Sequence, residues 1–115
     1  MPMKIDHLEI KNFNFFGINT EGEGELSLYG KTYFYGKHIG NISQEDDNEA
    51  TFDEECEING NIFGRKIIIR GKITGSVIAK EVLTISAGAT VTGDVSAKNL
   101  DIHPGAKIKG NIKSL

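Results

Sequence analysis

The amino-acid sequence predicts an all-β fold, a parallel β-helix (solenoid) of about five to six short coils. Three observations predict it: a glycine-centred motif that occurs four times, an aliphatic motif that alternates with it, and the lack of helical periodicity over residues 58–115. The chain has 115 residues, which suits one domain rather than two. We therefore expect a single β-helix domain over residues 1–115.

The glycine-centred motif has the form aliphatic-x-Gly-x-aliphatic. Alternate residues of a β-strand share a face, so each copy predicts a strand of about five residues with its aliphatic side chains inside. The central glycine would share that inner face, where it leaves room near the axis or permits a bend. The four copies are residues 58–62, 73–77, 91–95 and 108–112.

The second motif is aliphatic-x-aliphatic, and a turn glycine follows each copy. A unit of about 17 residues cannot bury its own apolar face, whereas stacked units bury a continuous core. Successive coils would then pair as parallel strands about 4.8 Å apart. The copies are residues 67–69, 83–85 and 100–102, followed by Gly71, Gly88 and Gly105.

The first half of the chain carries a weaker form of the pattern. The repeat is clear over residues 56–115, and for residues 1–55 we expect degenerate coils or a cap. Residues 19–25 are acidic and glycine-rich, which predicts a turn, and residues 43–49 predict an acidic loop that protrudes from a corner. A calcium site there is the weaker alternative, because the EF-hand spacing is missing.

Charge is divided unevenly along the chain. Residues 1–57 carry 4 Lys/Arg and 13 Asp/Glu, net −9, whereas residues 58–115 carry 9 and 3, net +6. We expect this division to favour lateral association between copies. Nucleic-acid binding is not expected, because the basic residues 65–72 have no aromatic side chains among them and the net charge is negative.

Single residues with reactive side chains predict no cofactor or metal site. Cys56, the one cysteine, is expected to be buried and to act as a small hydrophobic residue. The histidines, His7, His38 and His103, match no ligand spacing and are expected to be surface or capping groups. With no leader pattern and no membrane span in the sequence, the cytoplasm is the expected location. A weak membrane contact through the phenylalanines at 13, 15 and 16 is the alternative, and burial of those rings is favoured.

The repeats over residues 56–112 are similar to the core repeats of the bactofilins, polymer-forming cytoskeletal proteins of bacteria. The likeness is carried by Ile73-Thr-Gly-Ser-Val, Gly88-Ala-Thr-Val-Thr-Gly-Asp-Val and Gly105-Ala-Lys-Ile-Lys-Gly-Asn-Ile, with the Leu-Thr-Ile and Leu-Asp-Ile units between them. The resemblance implies a right-handed β-helix of about six coils and non-polar filaments that form end to end without nucleotide. It implies no enzymatic activity. Further copies of the chain are the expected partners, and cell-envelope or cytoskeletal proteins are additional candidates.

The two ends of such a solenoid are the candidate assembly sites. Each end leaves an unpaired strand edge over an exposed slice of the core, which is a template for another copy. At the C-terminal end we expect Ile108, Ile112 and Leu115 in the interface. At the N-terminal end we expect Leu8, Phe13, Phe15 and Phe16.

An enzyme is the alternative interpretation. Left-handed hexapeptide acyltransferases have coils of similar length, and His103 could serve as a base at a subunit cleft of a trimer. However, their strict six-residue aliphatic spacing fails here, since the series from Ile85 runs through Val91 and Ala97 to His103 and is not sustained earlier. The structural interpretation is therefore favoured.

Overall fold

The computed structural model describes residues 2–10, 14–17 and 21–115, with side chains from residue 21 onward. Over these residues the chain forms β-strands and no helix. The strands are, in order, β1 (Pro2–Ile10), β2 (Asn14–Phe16), β3 (Glu21–Leu28), β4 (Thr32–Phe34), β5 (Lys37–Ile39), β6 (Ile42–Gln44), β7 (Glu49–Phe52), β8 (Glu57–Asn59), β9 (Ile62–Ile69), β10 (Lys72–Thr74), β11 (Val77–Ile85), β12 (Thr90–Thr92), β13 (Val95–Ile102), β14 (Lys107–Lys109) and β15 (Ile112–Ser114).

All strand pairs are parallel, and they stack into three sheets around one core. The first sheet holds residues 2–4, 21–23, β5, β8, β10, β12 and β14. The second holds residues 7–10, 25–28, β6, 62–64, 77–79, 95–97 and β15. The third holds β2, β4, β7, 66–69, 82–85 and 99–102. The predicted parallel β-solenoid of about six turns is thus confirmed, and its right-handed sense stays a prediction.

Like residues stack on like along the inner face of each sheet. In the first sheet Ile58 pairs with Ile73, and in the third Ile69 pairs with Ile85; all four are at most 2% exposed. Aromatic side chains occupy the core nearer the N-terminus, where the rings of Phe34 and Phe52 stack with centroids 5.8 Å apart. Burying each of these side chains stabilises the fold by about 1.5–3 kcal/mol, so the stack as a whole supplies the main favourable free energy.

The motif glycines lie at corners rather than inside strands, so the predicted five-residue strand is wrong. Ile58 and Ile62 are both buried, as predicted, but they belong to different sheets because the chain turns at Gly60. A Cβ added to Gly60 would approach the carbonyl oxygen of Gly40 to 2.1 Å. Successive corners therefore approach each other more closely than any side chain allows, which explains why glycine recurs at the coil period.

The predicted turn at residues 19–25 is also wrong, because residues from Glu21 onward form β3. Glu21 and Glu23 flank Gly22, which is buried and pairs with His38 of the next coil. The alternation of acidic residues and glycine therefore gives a strand with its acids outside, and Gly24 forms the corner. Residues 19 and 20 lie outside the described residues.

His38 is buried, at 2% exposed, so its expected place at the surface is wrong. It occupies an inward position of the first sheet, between Gly22 and Ile58. Because Gly22 has no side chain, the imidazole fits there, and its Nε2 donates a hydrogen bond to the Gly24 carbonyl oxygen at 2.7 Å. Burial lowers the pKa of His38, and the bond to Gly24 only partly opposes this effect.

Candidate assembly interfaces

The C-terminal end of the solenoid exposes a slice of the core. Ile112 is 50% exposed and Ile102 is 38% exposed, whereas Val95 and Ile85, which precede them in the same inner rows, are fully buried. The difference arises because each earlier residue is covered by a following coil. We define the C-terminal slice as the half-buried Leu100 and Ile108 with the exposed Ile102, Ile112 and Leu115.

The backbone of the last coil also has an open edge. The amide of Lys107 donates to the Ala89 carbonyl at 2.9 Å, and the carbonyl of Lys109 accepts from the Gly93 amide at 2.9 Å. In a parallel ladder the backbone groups of adjacent residues point to opposite sides, so those of Ile108 point out of the end. β14 pairs only with β12, and β15 only with β13, among the described strands.

A polar ladder at the glycine corners continues to this end. The side-chain oxygen of Asn61 accepts a hydrogen bond from the Ser76 amide at 2.9 Å, and that of Asp94 accepts from the Asn111 amide at 3.0 Å. Asn41, Asn61 and Asp94 thus each cap the amide of the corresponding residue in the next coil. Asn111 occupies the corresponding corner position in the last coil, so its side chain is placed to extend the ladder to an added copy.

At the N-terminal end, the backbone places three of the four predicted residues in the outermost strands. Leu8 pairs with the buried Leu26, and Phe16 with the buried Phe34. Phe15 pairs with Tyr33, a half-buried residue. Phe13 lies outside the described residues.

Comparison with known proteins agrees with this architecture. A family model, Bactofilin, described as polymer-forming cytoskeletal, matches residues 14–113. The chain belongs to the bactofilin family. It is 29% identical over 88 residues to bactofilin BacO of Myxococcus xanthus (strain DK1622). The matched region covers 57% of this chain and 70% of the relative. No solved structure matches significantly. As a bactofilin, the protein is a polymer-forming cytoskeletal protein.

The acidic loop of this bactofilin is shorter than the predicted residues 43–49, and hydrogen bonds hold it. Ser43 and Gln44 belong to β6, and Gln44 is 2% exposed with its Nε2 bonded to the Gly30 carbonyl at 2.6 Å. The loop proper, residues 45–48, turns around Asp46. The Asp46 carboxylate accepts from Gln44 Nε2 at 2.8 Å, from the Gly30 amide at 2.6 Å, and from Asn48.

These bonds set the charge state of Asp46 and argue against the calcium alternative. Partial burial alone would raise the pKa of Asp46, but the hydrogen bonds from Gln44, Asn48 and Gly30 together lower it. Both carboxylate oxygens are therefore engaged by donors of the bactofilin itself. Across the described part of the chain, no group of three or more His, Cys, Asp or Glu side chains is arranged to hold a metal ion.

Two further candidate residues, His103 and Cys56, lie in different surroundings in the described part of the bactofilin. His103 is exposed at a corner of the last full coil, with its Nε2 3.3 Å from the Asp101 carboxylate. Cys56 is 1% exposed, as predicted, and burial raises its pKa to about 12. The described residues include no helix that is long and apolar enough to cross a membrane.

Proposed function

We propose that this bactofilin is a structural scaffold that polymerises end to end without nucleotide. The observation that carries the proposal is the C-terminal slice, in which Ile102, Ile112 and Leu115 are 38–63% exposed. The residues that precede Ile102 and Ile112 in the inner rows are fully buried, so the slice has the surface that an additional coil would cover. The N-terminal interface, with Leu8, Phe15 and Phe16, is proposed by the same reasoning from the register of β1 and β2. Phe13, which lies outside the described residues, is included from the sequence alone.

The free energies involved indicate that apolar burial of side chains and hydrogen bonding along the backbone edges must both contribute to association. Fully burying one large aliphatic side chain contributes about 1.5–3 kcal/mol, and the members of the slice are already partly covered. Association costs about 4–15 kcal/mol in lost freedom. Backbone hydrogen bonds along the open edges add about 0.5–1.5 kcal/mol each. An end that offers edges of all three sheets can exceed the cost, and none of these terms requires a bound nucleotide.

We further propose that like ends meet, which gives a non-polar filament. A contact between two C-terminal slices is self-complementary, because each apolar side chain meets apolar surface of the same end, and a two-fold axis relates the copies. Opposite net charges of the two chain halves would favour unlike ends, but surface charges are screened within about 8–10 Å at ordinary salt. Apolar burial at the ends should therefore decide the contact.

A single substitution tests both the proposed interface and whether the filament is polar or non-polar. Leu115→Glu places a charge on the slice at a residue that is 63% exposed, so the solenoid should still fold with unchanged β-type circular dichroism. Electron microscopy without nucleotide should show filaments of the native protein and none of the variant. In a non-polar filament the N-terminal contact survives, so the variant should sediment as a dimer.

The other outcomes contradict the proposal. A monomeric Leu115→Glu protein would show that unlike ends meet, and unchanged filaments would show that this end is not the interface. Ile108→Lys should give the same result as Leu115→Glu at a second position of the slice. Ile78→Glu is the matched control, because Ile78 is an equally aliphatic, 38% exposed residue on the side of the second sheet. It should leave filaments intact.

In the cell we place the polymer in the cytoplasm, where cell-envelope or cytoskeletal proteins are candidate partners. The test is fractionation of cells that produce the native protein or the Leu115→Glu variant. Recovery of both proteins in the soluble or polymer fraction supports this location. Recovery of the variant with membranes would instead indicate that single subunits bind lipid, through residues such as Phe15 and Phe16.

A further inference from the structure

The outer surface of the first sheet carries two straight columns of side chains. Each three-residue strand turns its middle residue inward, so its first and third residues form two ridges that run along the solenoid axis. The first column is Glu21, Lys37, Glu57, Lys72, Thr90 and Lys107, and the second is Glu23, Ile39, Asn59, Thr74, Thr92 and Lys109. We call this surface the ridged face.

Charges on the ridged face follow a definite order along the axis. The rung of residues 21–23, second in the first sheet, has two glutamates, Glu21 and Glu23, and the last rung, β14, has two lysines, Lys107 and Lys109. Between them Glu57 lies one coil before Lys72. Glu57 also pairs with Lys37 within the chain at 3.3 Å, and both side chains remain about half exposed, at 48% and 59%. These charges are therefore open to a second partner.

We propose that the ridged face binds the same face of a second copy of this chain that runs antiparallel. The two-fold axis lies parallel to the strands, between β8 and β10. It keeps the first column opposite the first column and reverses the order of the coils. The rung of residues 21–23 then faces β14 of the second copy, which sets Glu21 opposite Lys107 and Glu23 opposite Lys109.

The same operation matches the inner rungs of the ridged face. Glu57 faces Lys72 of the second copy, Asn59 faces Thr74, and the exposed Ile39 faces Thr92. All three acids of the face thus meet a lysine, and each pair occurs twice because of the symmetry. Two stacked sheets lie about 10 Å apart, a distance that opposed Glu and Lys side chains can bridge.

The corner that leads into this face adds to the match. Glu54 and Glu55 precede β8 in the chain, and Arg70 precedes β10. All three are exposed, and the two-fold axis brings the corner before β8 opposite the corner before β10. The acidic loop at residues 45–48 lies between the second and third sheets, so it does not obstruct the ridged face.

Parallel side-by-side packing of the same faces is disfavoured by charge. A two-fold axis along the solenoid sets each rung against itself and the first column against the second. Glu21 would then oppose Glu23, and Lys107 would oppose Lys109. Because like charges in direct opposition disfavour this parallel packing, the antiparallel pair is favoured.

The size of the face predicts when the pairing occurs. Six rungs at about 4.8 Å span about 24 Å, and a three-residue strand is about 10 Å wide, which gives about 240 Å² per partner. A stable complex buries about 800 Å² per partner. Two isolated subunits therefore pair only weakly, whereas a row of subunits joined end to end repeats the contact and gains avidity. The pairing rests on the proposed polymerisation for its strength, and it predicts that filaments associate laterally with neighbouring subunits that run in opposite directions.

A charge-swap experiment tests this inference. We compare Lys107→Glu/Lys109→Glu protein and Glu21→Lys/Glu23→Lys protein, alone and mixed, by electron microscopy and low-speed pelleting at low salt. Each variant alone sets like charges opposite each other in the antiparallel pair, so it should form single filaments and no bundles. In the mixture every opposed pair again has unlike charges, so bundles should return. Native bundles should dissolve between low salt and 1 M salt, because exposed charges are then screened.

Matched controls separate this contact from end-to-end assembly. Lys66→Glu/Lys80→Glu makes the same change in net charge outside the first sheet and away from the last coil, and should leave bundles intact. Single filaments in every sample show that polymerisation is unaffected, so a failure of bundling is distinguishable from a failure of the proposed function. Bundles of either swapped variant alone, or a mixture that stays single, would overturn the inference.

Cross-linking tests the register itself. In the antiparallel pair Asn59→Cys of one copy faces Thr74→Cys of the other, whereas parallel packing sets Asn59→Cys against Glu57→Cys. A short thiol cross-linker added to mixed bundles should join the first combination, and native Cys56 is buried and should not compete. Preferential joining of the second combination would overturn the antiparallel arrangement.

Discussion

Gly75 lies directly over Gly60 at the corner between the first and second sheets: a Cβ on Gly75 would stand 2.1 Å from the Gly60 carbonyl oxygen. The obstacle is backbone rather than a flexible side chain, so it cannot move aside. The φ of Gly75 is +144°, a conformation that residues with a side chain rarely adopt. The close approach keeps adjacent coils in hydrogen-bonding register, since the Gly60 amide donates to the Thr74 carbonyl at 2.9 Å.

Gly75→Ala should therefore destabilise the solenoid severely. The methyl group must push two coils apart or distort φ, and either change breaks hydrogen bonds of the central ladder. We expect a loss of about 3 kcal/mol or more in the free energy of unfolding, which places the substitution in the tail of single-residue effects. Denaturant titration followed by circular dichroism measures it.

Gly88→Ala is the matched control for this prediction. Gly88 also has a positive φ, +87°, but a Cβ there would meet nothing within 4 Å. Only the conformational cost remains, about 1–2 kcal/mol. Equal losses at the two positions would show that backbone conformation, and not the contact between corners, determines the need for glycine.

Most of the fold could be predicted from residues 56–115 because each structural requirement there recurs in the sequence. Aliphatic residues such as Ile58, Ile73 and Val91 repeat in one inner row, and parallel pairing in register follows from the repeat. The position of the glycine was harder to predict. Period-two alternation gives the same inward face for Ile58 and Ile62 whether the strand runs straight or bends between them, so the sequence left both possibilities open.

The N-terminal half was harder to predict because polar residues occupy inner positions there. His38 and Gln44 lie in rows that hold aliphatic residues, glycine or alanine in later coils. Both polar side chains are stable inside because each donates a hydrogen bond to a backbone carbonyl of another coil. His38 donates to Gly24 and Gln44 donates to Gly30. Such partners are distant in sequence, so no local pattern reveals them.

The residues of the C-terminal slice, the proposed assembly site, could be predicted in part. Ile112 and Leu115 were identified as the last aliphatic residues, and both are exposed. Leu100 and Ile102 were missed, although a signal was present, since they form the last copy of the second motif and no later copy covers them.

Asp46→Asn should loosen the corner between β6 and β7. The carboxylate accepts hydrogen bonds on both oxygens, and an amide nitrogen in place of one oxygen cannot accept from the Gly30 amide or from Asn48. If the nitrogen instead takes the place of Oδ1, the buried Gln44 Nε2 faces a second donor there and keeps only its bond to the Gly30 carbonyl. We expect about 1–3 kcal/mol of destabilisation, with faster amide hydrogen exchange at residues 44–50.

Asp47→Asn is the control for the acidic loop. Asp47 is 75% exposed and pairs with Arg65 at 2.7 Å, and exposed ion pairs contribute about 0–1 kcal/mol. If both substitutions cost the same, the hydrogen bonds of Asp46 are not what orders the loop.

Cys56 should be unreactive in the native protein. Burial raises its pKa to about 12, so only about one thiol in 10⁴ is ionised at pH 8. Labelling by an aromatic disulfide reagent should be slow and should accelerate with denaturant in step with the loss of β-type circular dichroism. Asn59→Cys adds an exposed thiol on β8 as an internal control, and it should label at once. Rapid labelling of Cys56 in native buffer would contradict the burial of this coil.

Protonation of His38 should destabilise the N-terminal coils. Because burial lowers its folded-state pKa, the unfolded chain takes up a proton near the ordinary value of about 6.5 while the folded chain still resists it. The stability that the neutral imidazole contributes is complete above about pH 6.5. It declines as the pH falls from that value towards the lowered folded-state pKa. Denaturant midpoints measured from pH 8 to pH 5 should fall across this window, above the range in which most carboxylates titrate.

Two glutamine variants assign this effect to one histidine. His38→Gln retains an N–H donor that can reach the Gly24 carbonyl but has no group that titrates, so its midpoint should vary less between pH 8 and pH 5. His103→Gln removes an exposed imidazole beside Asp101 and should keep the decline of the native protein. If His38→Gln keeps the full decline and His103→Gln removes it, then the neutral state of His38 does not stabilise the fold, and the exposed pair controls its pH dependence.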